Sequence, residues 1–525
     1  MGAEGLRGDF EGRRNRTRGA LWPSRRDDPG GRAGRALLVR SARTTRRRAT
    51  VPAAPRQDRR TPTPSTRPVT ERSPTFSATL DEPARRTPLH GEYDVAVLGG
   101  GPAGIAAAAS AARNGARVLL VERYGFLGGM GTAAGVTNFC GLHANVHGEI
   151  RQVVHGVADE LLDRMRALDG LNEPHLIFGK IHAQAYDMAA FKCAADALLV
   201  AAGVELLFHA LAVGTVRDAD GRLDALLVET KSGRRAVRAR VFVDASGDGD
   251  LAQHTDVPME KGDAGGSLLY PTLMFRVGDV DAARAGDAWA TIPARMDAAA
   301  ASGAYAFPRR GAIVRPQKRA YEWRVNVTQL RNPDGSATDG TDARSLSAGE
   351  VEGRRQIVDY LRFLRAEVPG FENAYLLDIA TQLGIRETRR LVGEVALTGE
   401  HVVGCADFAD SIGVNGWPLE MHVAGDVVWR WPPIPASRGY NQLPYRMLLP
   451  RRATHGGVDN LLAAGRCASM THEGHSAARV SGACFVMGQA AGTAAALAVR
   501  AGVSPHDLAP ESLQQTLADQ GAFLG

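Results

Sequence analysis

The hydrophobic positions of the chain form an ordered series only after residue 90. Residues 93–98 are apolar and β-branched and predict a buried parallel strand. Small apolar residues over 105–114, stopped by Gly115, predict a helix, and residues 117–121 predict a second strand. Strand, loop, helix and strand in this order are typical of an α/β fold.

Four later segments extend this pattern. Residues 204–213 predict a strand, and Asp220 with Gly221 predicts a hairpin-type turn. Residues 240–250 predict a strand that runs into an acidic, glycine-rich turn, and residues 460–466 a short strand that ends in glycine. After the segment 469–479, a helix is expected from about 481 to 500.

The pattern changes in the middle of the chain. Residues 270–277 and 322–328 predict strands, and residues 347–367 have helical spacing that Pro369 and Gly370 end. We therefore expect an inserted α+β substrate or cap domain over residues 265–449. The nucleotide-binding domain would be divided between residues 91–264 and 450–525. The predicted fold class is α/β, a doubly wound, Rossmann-like domain split by this insertion.

Composition changes the interpretation of the first ninety residues. Residues 1–90 contain 21 arginines, no lysine and 9 acidic residues, whereas the remainder has 42 basic and 48 acidic residues. The segment 1–90 is therefore predicted to be a disordered Arg-rich tail, and a wrongly assigned start is an equally good explanation. A targeting peptide ranks below both. Because the rest of the chain is mildly acidic, no nucleic-acid partner is expected.

The five cysteines form no C-x-x-C pair. This spacing argues against a disulfide scaffold, a zinc site and an iron–sulfur cluster, and a cytoplasmic location fits best. No membrane span is expected, since the apolar run 483–499 is rich in Ala and Gly and contains Gln489 and Thr493.

The loop after the first strand carries the strongest chemical signal. Gly99, Gly101 and Gly104 match G-x-G-x-x-G between a strand and a helix. The first glycine permits a tight turn, the second lets the backbone approach a pyrophosphate, and the third lets helix and strand pack closely. The helix N-terminus attracts the phosphates, and Glu122 can accept a hydrogen bond from a ribose hydroxyl.

These segments together resemble FAD-dependent oxidoreductases of the glutathione-reductase-like class, near fumarate-reductase-type flavoproteins and the flavin domain of heterodisulfide reductase. The resemblance covers about residues 92–510 and implies bound FAD. Its motifs, carried onto this chain, imply cofactor contacts at Gly99, Gly101, Gly104, Glu122, Gly247, Asp248, Gly465 and Arg466. The family usually has Asp where this chain has Arg466, which could contact phosphate instead.

Two further stretches are expected to face the cofactor. The N-terminus of the late helix would stabilise negative charge on a reduced flavin. A glycine-rich segment after the second strand would present donors to the flavin ring. The residues added to the FAD site on these grounds, and from the first loop, are Pro102, Ala103, Arg123, Gly128, Gly129, Thr132, Val480 and Ser481.

Catalytic residues are harder to choose from the sequence. We predict His472, His475, Arg386 and His143 as catalytic, from a wider set that also contains His422, Arg438, Tyr440 and Tyr445. The spacing H-E-x-H at 472–475 fits an active-site base better than zinc. Arg386, Arg389 and Arg390 could clamp a carboxylate, but an ion-pair network with Glu387 and Glu394 is the preferred interpretation.

The sequence thus predicts an enzyme, an FAD-dependent oxidoreductase that transfers a hydride between flavin N5 and a small organic substrate. The FAD is expected to be non-covalent, and neither the electron acceptor nor the oligomeric state can be read from the residues. Two alternatives stay open: an electron-transfer flavoprotein that works with an iron–sulfur partner, as in heterodisulfide reductase, and a flavin monooxygenase. A scaffold without cofactor is disfavoured by the intact glycine motif.

Overall fold

A computed structural model describes residues 79–525. Residues 1–78 of the predicted disordered tail lie outside the described residues. The predicted tail extends slightly too far toward the C-terminus, because a strand already begins at Leu89.

A mixed sheet forms the centre of the protein. Within residues 79–525 it contains seven strands, which are, in order across the sheet, Glu205–Leu207, Val118–Val121, Leu89–Leu98, Gly233–Asp244, Leu223–Thr230 and Leu211–Arg217, with Leu461–Ala463 paired to the end of Gly233–Asp244. The strand Leu461–Ala463 returns from far along the chain, as predicted, and pairs in parallel. The fold is therefore mixed α/β with a parallel-strand sheet.

The register of the parallel strands aligns their carboxyl ends. Leu98 lies opposite both Val121 and Asp244, and Asp244 lies opposite Ala463. Each predicted cofactor loop follows one of these ends. The sheet thus brings segments that are more than 350 residues apart in the chain to one edge, where α/β proteins bind their ligands.

The two faces of the sheet are covered differently. Val95 and Val97 pack in a hydrophobic cluster with the first helix and the late helix. Ala96 and Leu98 point to the opposite face, where they join a cluster with residues of the strand Leu223–Thr230. The first and late helices therefore cover one face, and the cluster on the other face also includes Leu251 and Ala252 of the short helix Asp250–His254.

The helices range in length from single turns to the 25-residue helix Ala343–Glu367. The α-helices are Pro102–Arg113, Met130–Ala133, Val157–Ala167, Met188–Ala201, Asp250–His254, Ala282–Ala285, Ala288–Ala301, Ala343–Glu367, Gly399–Val403, His472–Ala478, Ser481–Ala501 and Pro510–Asp519, and the 3-10 helices are Tyr445–Leu448, Gly465–Cys467 and Pro505–Asp507.

The late helix Ser481–Ala501 crosses the first helix at very close range. A Cβ added to Gly488 would lie 2.1 Å from the carbonyl oxygen of Ala103, and one added to Gly492 would lie 2.0 Å from that of Ala107. The small residues of this helix therefore serve helix packing. The helix is long and apolar enough to cross a membrane, but 94% of its apolar window is buried inside the protein. Its composition is that of a core helix.

A second sheet lies in the middle of the chain. Its antiparallel strands, in order, are Ile313–Pro316, Trp323–Asn326, Phe275–Gly278 and Tyr375–Ile379. With the helix Ala343–Glu367 it encloses a hydrophobic cluster of its own, which contains Phe275, Trp323 and Phe363. The predicted strand over 270–277 is thus shorter than expected, and the predicted helix begins four residues earlier.

Short strand pairs complete the structure. They are Asn138–Phe139 and His175–Ile177 with Ile181–Ala185, His143–Val146 with Glu149–Gln152, Met259–Lys261 with Arg389–Leu391, Ser411–Asn415 with Asn441–Pro444, and Leu419–Val423 with Asp426–Arg430. The predicted strand over 204–213 is in fact two strands, because His209 adopts a left-handed backbone with φ of 53°.

Candidate active site

A cavity of about 730 Å³ opens at the carboxyl edge of the main sheet and extends to the second sheet. Most of the predicted cofactor residues line it. These are Gly99, Gly101, Pro102, Ala103, Glu122, Arg123, Gly129, Gly247, Gly465, Arg466, Val480 and Ser481. Gly104, Gly128, Thr132 and Asp248 do not line it and lie behind its wall.

The glycine loop is built as a tight turn into the first helix. Gly99 has φ of 100°, and a Cβ added there would lie 2.4 Å from the carbonyl oxygen of Ala245. A Cβ on Gly104 would lie 1.7 Å from the carbonyl oxygen of Gly99. Gly101 differs, since outside its chain neighbours its Cβ would meet only Gly129 Cα, at 3.7 Å. Gly101 is thus not needed for protein packing.

Glu122 ties the second strand to this loop. Its carboxylate accepts hydrogen bonds from the backbone N–H of Gly100, at 2.7 Å, and of Tyr124, at 2.9 Å. Each carboxylate oxygen has a further lone pair, so the group can still accept from a ribose hydroxyl. No side chain caps the N-terminus of the helix Pro102–Arg113, which leaves backbone donors for an anion. These residues fit a dinucleotide pyrophosphate and ribose.

Arg466 replaces the acid that the resemblance leads one to expect. Its guanidinium lies beside Gly247 and donates to Asp248, at 2.8 Å, and to Thr388, at 3.1 Å. Burial acts to raise the pKa of Asp248, but the charges of Arg466 and Arg123 outweigh it and lower the pKa below its usual value. Asp248 therefore holds Arg466 in place on the cavity wall.

The segment 128–132 contributes to the wall through its backbone. Gly128 donates its N–H to the carbonyl of Gly100 at 2.8 Å, and Gly129 lies against Gly101. The hydroxyl of Thr132 donates to the carbonyl of Leu127 at 2.7 Å. Thr132 thus stabilises the segment, whereas the sequence predicted that it would face the flavin ring.

The N-terminus of the late helix opens into the cavity, as expected. Val480, Ser481 and Cys484 all line it. Ser481 accepts a hydrogen bond from the backbone N–H of Cys140 at 3.1 Å, which fixes the segment before the hairpin at 143–152. Burial raises the pKa of the Cys140 thiol to about 12.

Three of the predicted catalytic residues lie away from the cavity. His475 is fully buried, neither of its ring nitrogens has a partner among the described residues, and burial lowers its pKa well below the usual value. His472 pairs with Glu387, 2.9 Å away. His143 packs against His182, and burial lowers its pKa to about 4. The segment 472–478 forms a helix.

The three neighbouring arginines have different surroundings. Arg390 forms a buried ion pair with Glu387, and Arg389 pairs with Asp250 at 2.6 Å. Arg389 and Arg390 are therefore both in ion pairs, as the preferred interpretation predicted. The partner of Arg389, however, is Asp250 and not Glu394. Arg386 lines the cavity and donates to the carbonyl of Tyr270 at 2.7 Å. It is the predicted catalytic residue that the structure places at the site.

A second polar group on the cavity wall consists of Glu420 and His422. The sequence pointed to His422 as a candidate but not to Glu420. Glu420 and His422 alternate along the strand Leu419–Val423 and so point to the same side. His422 Nε2 lies 3.1 Å from Glu420 Oε1, and Trp417 Nε1 donates to Glu420 Oε2, also at 3.1 Å. The spacing Glu-x-His within a strand was the signal that could have separated His422 from the other histidines.

Charges around this pair determine its ionisation. Burial and the charge of Arg386 lower the pKa of His422 well below its usual value, so the imidazole is neutral. Burial acts to raise the pKa of Glu420, but its hydrogen bond to His422 and the charges of Arg479 and Arg386 lower it to about 2. His422 Nδ1 is buried and has no partner in the described part of the chain.

The cysteines and histidines are dispersed rather than clustered. All five cysteines are free thiols. Within residues 79–525 no group of three or more His, Cys, Asp or Glu side chains is arranged to hold a metal ion.

Comparison with known proteins identifies the family. A model of the FAD dependent oxidoreductase family matches residues 94–517. The chain belongs to this family. It is therefore an FAD-dependent oxidoreductase enzyme, as the sequence predicted, and membership implies FAD as its cofactor. No curated protein gives a significant match.

Solved structures give more distant likenesses. A geranylgeranyl bacteriochlorophyll reductase-like protein from Thermoplasma acidophilum is 15% identical, with 82% of each chain covered and a TM-score of 0.39. The p-nitrophenol 4-monooxygenase of Pseudomonas putida is 12% identical, with 82% of this chain and 85% of that chain covered and a TM-score of 0.41. The anhydrotetracycline hydroxylase of Streptomyces rimosus is 15% identical, with 82% and 66% covered and a TM-score of 0.39. These low scores carry no information about the substrate.

Proposed function

We propose that this family member transfers a hydride between flavin N5 and a small organic substrate, with His422 as the acid–base group. The observation that carries the proposal is the cavity, which runs from the glycine loop to the Glu420–His422 pair. When bound, FAD supplies a two-electron hydride acceptor or donor at N5.

The protein's contribution to the reaction is proton transfer and orientation. In the oxidation direction the substrate loses a hydride and a proton, and His422 takes the proton because its imidazole is neutral and the residue lines the cavity. Glu420 accepts from Nε2, which fixes the ring and stabilises the imidazolium that forms. In the reduction direction the same imidazole returns the proton.

We further propose that residues 265–449 include a substrate or cap domain inserted into an FAD domain formed by 91–264 and 450–525. The second sheet and its separate hydrophobic cluster, which runs from Leu273 to Ile385, support the insertion. The return of the strand Leu461–Ala463 to the main sheet supports the divided FAD domain. Leu419 and Leu443, near the end of this range, pack instead in the hydrophobic cluster beside the main sheet. Support for a separate domain is therefore strongest for residues 273–385.

The FAD is proposed to be non-covalent. Two residues that could serve as covalent anchors, Cys140 and His143, are poorly suited to attachment. Burial keeps the Cys140 thiol protonated, and a thiol is a weak nucleophile compared with a thiolate. His143 does not line the cavity. Acid precipitation is expected to release all of the flavin into the supernatant.

The proposed function is tested on the purified full chain. A yellow protein with an FAD spectrum, no stoichiometric iron, and bleaching under anaerobic conditions by an oxidisable alcohol, amine or hydroxy acid is the expected result. A colourless protein that cannot be reconstituted with FAD contradicts the proposal. Stoichiometric iron would favour the iron–sulfur alternative, and rapid NAD(P)H-driven oxygen uptake would favour a monooxygenase.

His422→Gln is expected to slow anaerobic flavin bleaching by an active substrate on the order of 100-fold, the usual contribution of one acid–base group. Glutamine can keep the hydrogen bond to Glu420 but has no basic nitrogen. His254→Gln is the matched control, since His254 is an exposed histidine that does not line the cavity. Stopped-flow absorbance measures the rates. An unchanged rate in His422→Gln would remove His422 from the mechanism.

A further inference from the structure

The half of the cavity next to the second sheet has an excess of positive charge. Arg324, Arg386 and Arg479 all line it, and the first two are 5% and 6% exposed. Among residues 79–525, no carboxylate lies within 4.0 Å of Arg324 or Arg386, and Arg479 has Glu420 at 3.5 Å. Arg315 of the second sheet lines this half as well, so one ionised carboxylate stands among four guanidinium groups.

These guanidinium groups also have donors to spare. A guanidinium has five N–H donors. The side chain of Arg324 has one hydrogen-bond acceptor in the described structure, the carbonyl of Val136, and that of Arg386 has one, the carbonyl of Tyr270. Burying an uncompensated charge is costly unless an anion completes the site.

The expected phosphates of FAD do not account for this charge. They belong at the glycine loop and the N-terminus of the first helix, on the main sheet. Arg324 lies on the strand Trp323–Asn326 of the second sheet, and Arg386 lies beside the Glu420–His422 pair. The spare donors thus belong to the part of the cavity where a substrate would sit.

Aromatic side chains form the adjoining wall. Trp417 and Trp429 line the cavity with ring centroids 6.0 Å apart. Phe178, at the tip of the hairpin between His175–Ile177 and Ile181–Ala185, packs edge-on against Trp429 at 5.2 Å and is 62% exposed. Trp417 also donates to Glu420, so the aromatic wall directly joins the charged group. Large flat side chains of this kind suit a flat apolar ligand.

We propose that the substrate of this site is an organic acid with a flat, apolar body. Its carboxylate would bind Arg386 and Arg324, and its body would lie against Trp417, Trp429 and Phe178. The inference rests on the proposed function of the same cavity and adds the class of substrate to it.

Three unreactive probes test the proposal on the full chain by titration calorimetry. 2-Naphthoate carries both features, 2-naphthamide lacks the charge, and acetate lacks the aromatic body. We expect 2-naphthoate to bind about 10- to 100-fold more tightly than either of the others, the effect of one or two charge-assisted hydrogen bonds or a buried ring. Equal affinity for naphthamide overturns the charge assignment, equal affinity for acetate overturns the aromatic one, and failure of naphthoate to bind overturns both.

Variants locate the effect. Arg386→Gln and Arg324→Gln are each expected to reduce the preference for naphthoate over naphthamide about tenfold, and either one that folds is informative. Arg310→Gln, an exposed arginine near the second sheet, is the matched control and keeps the preference. Full preference in both cavity variants overturns the proposal. A colourless chain that still prefers naphthoate contradicts the proposed redox function alone, and a yellow chain with no preference contradicts this inference alone.

Discussion

Gly101→Ala is expected to give a folded but colourless protein. The added Cβ meets only Gly129 Cα among atoms outside its chain neighbours, at an ordinary contact distance of 3.7 Å, and the φ of Gly101 is −75°, which alanine adopts freely. The cavity side of Gly101 is where a pyrophosphate would approach the backbone. A methyl group there should weaken FAD binding by roughly 100-fold. Flavin absorbance after gel filtration and a calorimetric titration with FAD measure the loss.

Two other glycines make the result specific. Gly104→Ala places a Cβ 1.7 Å from the carbonyl oxygen of Gly99, so we expect it to disrupt folding, seen as a lower melting temperature. Gly214→Ala, on an edge strand with Leu227 Cδ1 3.6 Å away, should keep both fold and FAD. If Gly101→Ala stays as yellow as Gly214→Ala, the assignment of this loop to the pyrophosphate is wrong.

Glu387→Gln is expected to lower the free energy of unfolding by about 3–5 kcal/mol, the usual cost of breaking a buried ion pair. The Glu387 and Arg390 side chains are 0% and 2% exposed, and they are paired. Glu387 also accepts from the backbone N–H of Leu269 at 2.9 Å. Glutamine removes the charge and leaves Arg390 uncompensated. Urea unfolding followed by circular dichroism measures the change.

The matched control is an exposed pair. Glu372→Gln breaks the contact between Glu372 and Arg284, 2.7 Å apart with both side chains substantially exposed. Such surface pairs contribute less than about 1 kcal/mol. If the two variants lose the same free energy of unfolding, burial does not increase the contribution of the Glu387–Arg390 pair to stability. Glu387→Gln also frees His472, so an effect on flavin bleaching without loss of stability would point to a catalytic part for that histidine.

Local sequence signals predicted the glycine turn and the elements on either side of it well. The strand that ends at Leu98, the glycine turn and the first helix are adjacent in the chain, and hydrophobic pattern and glycine spacing within some 30 residues indicate all three. The hydrophobic pattern was equally sufficient for the late helix, which the structure places at Ser481–Ala501. By contrast, the break at His209 depends on a left-handed residue that propensity does not indicate.

The substrate half of the cavity could not be predicted in the same way. His472 and His475 stand in a conspicuous motif, yet one is paired to Glu387 and the other is enclosed. His422 has no motif beyond its spacing from Glu420. What distinguishes it is its place on the cavity wall beside Glu420, and this depends on how a hairpin from the middle of the chain packs against the helix at 472–478.

The sequence by itself thus determined the family, the glycine turn and the strands on either side of it, because these rest on local backbone conformation and hydrophobic periodicity. Only the tertiary structure decided which arginines are neutralised. Arg386 and Arg390 are four residues apart in one segment, but Arg390 meets Glu387 while Arg386 reaches the cavity without a carboxylate. Burial and partner choice are properties of the packed chain, and they separate a structural charge from one that is free to bind a ligand.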